Sequence, residues 1–212
     1  MSTGGRRRVT VCRSEGKRML CTFLVAVLAL VGTPAFASSL AEVRGAFADV
    51  RDGKREADAA AAVIENYFGA NRNSPLAMAY MGSVRTLQSD REDRPWKKMA
   101  YLDEGFDLLD RSVALIASDQ VPDAVAVEVL MISGVTNASV PALFRRRASA
   151  LENLQNMIAR STFQELDEVN QARAYAWLAV LTSKSQPENS AAYIAQARRL
   201  DQPLAEDIWS KR

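Results

Sequence analysis

One carboxylate stands alone in an apolar stretch. In "DAVAVEVLMISGV" (123–135) Glu128 is the sole charge after the opening Asp123. A carboxylate enclosed by apolar side chains either finds a cation or becomes a poised acid, because burial penalises its charged form. The nearest cations downstream are Arg145, Arg146 and Arg147. At 100° per residue, Arg146 and Arg147 flank the side of their helix marked by Ala150, at about −40° and +60°, while Arg145 points away. A hairpin turning near Ser139 would set Glu128 opposite residue 150, about one helical turn from both arginines. The expected arrangement is a bidentate pair of Glu128 with Arg146 or Arg147. Such a pair either fixes hairpin packing or faces a ligand.

Composition excludes most other chemistry. The chain has no histidine, and its two cysteines, Cys12 and Cys21, lie near the N-terminus. Without them there is no Cys/His zinc site, thiol nucleophile or imidazole base. Asp103, Asp107 and Asp110 share one side of a helix, which reads as a solvated face rather than a metal site. No metal or cofactor is expected. Lys98 falls on a packing stripe near "PWKKM", where its stem can run along a core edge. Tyr80, Tyr175 and Trp177 complete the set of side chains suited to contacts with a partner.

The first 37 residues read as an export signal. A basic segment (Arg6 to Arg18), an apolar run (Met19 to Gly32) and Ala35-Phe36-Ala37 follow one another as in a secretory signal peptide cleaved after Ala37. The apolar run is short of the roughly 20 residues a membrane span needs. Residues 1–37 hold six of the 27 basic and one of the 25 acidic residues, so the remainder has 21 against 24, a net charge of −3. That balance predicts neither nucleic-acid binding nor stable membrane insertion. An exported domain without cysteine must rely on its hydrophobic core, which suits a bacterial periplasm.

The elements that position these residues come from a repeat. A small-x3-large-x2-small spacing occurs at Ala60, Ile64 and Tyr67. It returns at Gly105, Leu109 and Ser112, at Ala150, Leu154 and Met157, and at Ser190, Ile194 and Ala197. Each set lies in a segment of helical apolar periodicity, preceded by another helix with its own start signal: "SSLAEV", "NSPLAMAY", "VPDAVAVEV" or "ELDEVNQA". No window alternates with a period of two. The prediction is an all-α fold of four helical hairpins, about 40–70, 75–118, 122–160 and 166–200. A short capping helix follows from about Pro203.

The spacing, followed by "LIASD" or "RRLDQP", resembles the second helix of tetratricopeptide repeats, in divergent form. The repeats exceed the family's usual length of about 34 residues. "PWKKMAYLDEGFDLLDRSV" is also similar to exported bacterial proteins of this type. The resemblance implies an α-solenoid whose first helices line a concave surface, with 38–212 as one domain. It further implies a protein or peptide partner held in the groove, for which Tyr80, Lys98, Glu128, Arg146, Arg147 and Tyr175 are the candidate contacts. The leading expectation is a periplasmic interaction module rather than an enzyme. The alternative is a cell-envelope glycan hydrolase with Glu128 as its acid.

Overall fold

Start signals account for where the helices begin. The Ser39 hydroxyl accepts from the Glu42 amide at 3.2 Å and the Glu42 carboxylate accepts from the Ser39 amide at 2.6 Å, a reciprocal cap. Asp167 and Asp201 each accept from a backbone amide three residues on, at 2.8 and 3.1 Å. Pro75, Pro95, Pro187 and Pro203 occupy first turns, where a missing N–H costs nothing. A computed structural model describes residues 38–117 and 120–212. The export signal expected at 1–37 lies outside the described residues.

The described residues form α1 (Leu40–Arg51), α2 (Ala57–Ala70), α3 (Pro75–Arg91), α4 (Pro95–Leu115), α5 (Asp123–Ser139), α6 (Arg147–Ile158), α7 (Glu168–Thr182), α8 (Pro187–Leu200) and α9 (Gln202–Trp209). Two 3₁₀ turns, Ala142–Phe144 and Ser161–Glu165, flank α6. No strand occurs among the described residues, and none of their helices is long and apolar enough to cross a membrane. The described residues are all-helical, as their periodicity predicts.

Helices α3, α5 and α7 neighbour one another in that order, and each packs against the helix that follows it. Helix α2 packs on α1 and α3, while α9 returns onto α7 and α8. The two kinds of helix differ in composition. Helices α3, α5 and α7 are buried around most of their circumference, α5 and the second half of α7 through nearly continuous small and apolar sequence, while α3 also buries Ser83, Thr86, Gln88 and Ser89. Helices α4, α6 and α8 bury one stripe each.

That stripe is the repeated triplet. Gly105, Leu109 and Ser112, then Ala150, Leu154 and Met157, then Ser190, Ile194 and Ala197 are all buried; in α2 the same holds for Ala60 and Ile64, with Tyr67 half-buried. Each buried leucine or isoleucine contributes about 1.5–3 kcal/mol. Small residues set the closeness of approach. A Cβ on Gly105 would stand 2.9 Å from the Gly82 carbonyl oxygen, and one on Gly82 would stand 2.7 Å from the Gly105 carbonyl oxygen. Helices α3 and α4 therefore touch backbone to backbone at this point.

Candidate functional site

Five helices converge on one cleft of about 990 Å³. Helices α3, α5 and α7 provide its walls, and α1 and α9 reach its edges. Apolar side chains on its lining include Phe47, Leu87, Val125, Met131, Val135 and Leu166. A smaller cleft of about 410 Å³ adjoins it, sharing Ser139, Val140, Trp177 and Lys211.

Glu128 is in this cleft, with a partner other than the expected one. Arg44 of α1 donates from Nε to Glu128 Oε1 at 2.8 Å and from Nη2 to Oε2 at 2.5 Å. The Tyr80 hydroxyl, on α3, donates to Oε1 at 2.5 Å. Tyr80 also meets Phe47 of α1 edge to face, with ring centroids 5.2 Å apart. Burial, then the adjacent Glu128 charge, pushes the Tyr80 hydroxyl's pKa well above the ordinary tyrosine value. The Arg44 pKa is raised chiefly by its hydrogen bond to Glu128.

The expected pairing of Glu128 with Arg146 or Arg147 is therefore corrected. Helix α5 meets α6 through Gly134 and Asn137, which contact Leu154 and Arg146. Glu128 lies about 120° and 180° around the helix from those two residues, so it faces away from α6. Arg146 instead grips Asp110 of α4, with Nη1 at 2.9 Å from one oxygen and Nη2 on the other. It also donates to Asn137 Oδ1 at 2.9 Å and lies over the Phe106 ring at 4.8 Å. It ties α4, α5 and α6 together outside the cleft. Asp110 is thus engaged, whereas Asp107 pairs with Arg111, one turn along the same exposed face.

The remaining candidates divide. Tyr80 and Trp177 line the cleft, and Arg147 lines the smaller one. Tyr175 turns away to pack between Phe163 and Tyr193. Lys98 sits near the start of α4 and lines neither cleft. Among the described residues no cluster of acidic side chains is arranged to hold a metal ion.

Sequence reasoning missed the arginines of the groove. Arg44 and Arg51 are seven residues apart on α1, within about 20° of one another, and both face the cleft. Arg51 donates to Asp52 at 3.1 Å and to Asn170 of α7 at 3.4 Å. Arg173 of α7 also lines the cleft, and its Nε–H is buried without an acceptor. Burial first, then the nearby Arg51 charge, lowers the Arg173 pKa to about 10; Asp52, Asp167 and Asp201 offset this only in part. Arg173 remains charged at neutral pH.

Compared with protein-family models, characterised proteins and solved structures, the chain matches none.

Proposed function

We propose that the protein is an exported, periplasmic interaction module whose cleft holds a peptide or an extended segment of a partner protein. The observation that carries this reading is the cleft itself. Its walls are predominantly apolar at their exposed points, and its volume lies at the upper end of ligand sites. The same reading takes the helices as a divergent tetratricopeptide-like array of antiparallel hairpins, for which contacts between successive helices give support. Gly82 meets Gly105 and Leu109 while Arg85, three residues on, lies over Tyr101, four and eight residues earlier on α4, as expected of antiparallel neighbours. Gly134 with Leu154 and Asn137 with Arg146 repeat that register in α5 and α6. The cleft-lining helices α1, α3, α5 and α7 are then the first members of successive hairpins.

The hydrolase reading draws less support. A glycan-cleaving acid must present a proton toward the scissile bond. Both oxygens of Glu128 accept instead, from Arg44 and Tyr80.

The test is capture of partners from the periplasm by the tagged protein, run beside Val135→Arg in the cleft and Leu143→Arg on the exposed outer surface. Val135 is half-buried and Leu143 is 73% exposed. A partner lost only with Val135→Arg supports the reading; partners retained by it, or lost equally with Leu143→Arg, refute it. Intact mass of the recovered protein should begin at Ser38, and retention of the Met19 to Gly32 run would refute export with cleavage.

A further inference from the structure

The cations of the cleft are not equivalent. Arg44 is matched by Glu128, Arg51 by Asp52, and Lys211 by Asp207 at 2.8 Å. Among the described residues of the cleft, Arg173 alone has no carboxylate on it. It stands between Asn170 and Trp177 at the three-and-four spacing that places all three on one side of α7. Unpaired guanidinium groups are rarely kept in partly buried positions, since desolvation is costly until an anion supplies the missing charge. Five exposed acids, Asp52, Asp90, Glu165, Asp167 and Asp207, lie on the lining of the same cleft and disfavour a polyanion. Arg173 thus offers local complementarity to a single negative group, inside a cleft otherwise suited to apolar contact.

We propose that Arg173 is the anion-recognition point of the cleft, taking the side-chain carboxylate of one Asp or Glu in an otherwise apolar, extended peptide segment. The planar guanidinium fork matches a carboxylate with two parallel hydrogen bonds, which its two terminal nitrogens can supply while the enclosed Nε–H stays behind them. Trp177, one turn along, and Leu166 supply the apolar surface beside the carboxylate. This assignment rests on the cleft being a peptide site.

A random dodecapeptide library, displayed and selected against the purified protein, tests both statements separately. Cleft binders are those lost with Val135→Arg. Their enriched sequences should carry one acidic residue flanked by apolar ones. Arg173→Gln should weaken such peptides roughly tenfold, the worth of one charge-assisted contact, while leaving versions with Gln for Glu within about twofold. Arg173→Lys, which keeps the charge but loses the fork, should fall between. Cleft binders without an acidic preference, or an unchanged preference in Arg173→Gln, overturn the assignment and leave the peptide site standing. If no selected peptide depends on Val135, the peptide site fails and the assignment with it. A melting temperature for Arg173→Gln at or above that of the unsubstituted protein shows that lost binding is not lost folding.

Discussion

Arg44 and Glu128, 84 positions apart in the chain, close a two-point ion pair that pins α1 to α5 across the edge of the cleft. Arg44 is largely exposed, so the Coulombic contribution alone is small. Glu128 is mostly buried, and the Tyr80 hydroxyl depends on it as an acceptor. Arg44→Met should therefore cost about 1 kcal/mol, and Glu128→Leu about 2–3 kcal/mol because it leaves a buried hydroxyl unsatisfied. The double variant should cost less than the two effects added. Chemical denaturation of the four proteins measures the coupling, and strict additivity would show that the pair contributes nothing.

The same cluster sets an alkaline limit. The Tyr80 hydroxyl has a raised pKa in the folded protein, so its contribution is complete below the unfolded value of about 10 and declines as pH rises above it. Stability measured from pH 9 to 11 should fall more steeply in the unsubstituted protein than in Tyr80→Phe. Parallel curves would count against the assignment.

Gly82 and Gly105 give a prediction about packing. Either replaced by Ala places a methyl within 3 Å of a backbone oxygen, and overpacking of this kind costs about 1–3 kcal/mol. Gly45, on the exposed side of α1, has nothing within 4 Å of the point a methyl would occupy. Gly45→Ala should stabilise by up to about 1 kcal/mol through helix propensity. Opposite shifts in melting temperature are expected, and equal ones would mean that α3 and α4 are not in backbone contact.

What the sequence disclosed depended on how many angles each inference required. The stripe from Gly105 through Leu109 to Ser112 needs only the helical period, and it is buried throughout. The partner of Glu128 needed the direction around α5 as well as the height along it. Height alone selects Arg146 or Arg147, on the side that meets α6. Arg44 was legible in Leu40, Arg44, Phe47 and Arg51, whose spacing sets two cations beside the apolar side of α1. Arg173 carried the same signal as Glu128, a lone charge amid the apolar residues of "QARAYAWLAV". Its lack of a partner belongs to the tertiary structure: Asp52 and Asp201 come from other elements, and Asp167, which caps the same helix, accepts from Asn170 instead.

Asp123, at the start of α5, is expected to weigh on stability in acid. Its carboxylate accepts from Arg160 Nη1 at 2.8 Å, from the Thr162 amide at 3.1 Å and hydroxyl at 2.9 Å, and from the Ser161 hydroxyl at 3.0 Å. The Arg160 contact, followed by the two from Thr162, holds its pKa far below the ordinary aspartate value. A depressed carboxylate contributes stability above the unfolded pKa of about 3.9, and that contribution is lost as pH falls further. Asp123→Asn should lower stability at neutral pH and flatten the decline below about pH 4. Acid titrations of melting temperature that keep the same slope would rule out Asp123 as a principal acid-sensitive group.

The unpaired charge of Arg173 gives a prediction about stability that is independent of ligand binding. Its pKa is lowered to about 10 by burial and then by Arg51, so the charged form is held at a cost in the folded protein. For a base with a depressed folded pKa the unfolded chain binds the proton more readily, and the penalty is present in full at neutral pH. Removing the charge should relieve it. One pKa unit corresponds to about 1.4 kcal/mol. Because the side chain is partly solvated, Arg173→Met should gain on the order of 1 kcal/mol after screening. The gain should shrink in high salt, which screens the repulsion from Arg51. Arg51→Met tests the same repulsion from the other side: in that background Arg173→Met should stabilise less. A clear loss of stability on Arg173→Met would mean that the guanidinium makes contacts worth more than its burial costs, and would remove the reason for reserving it for a ligand.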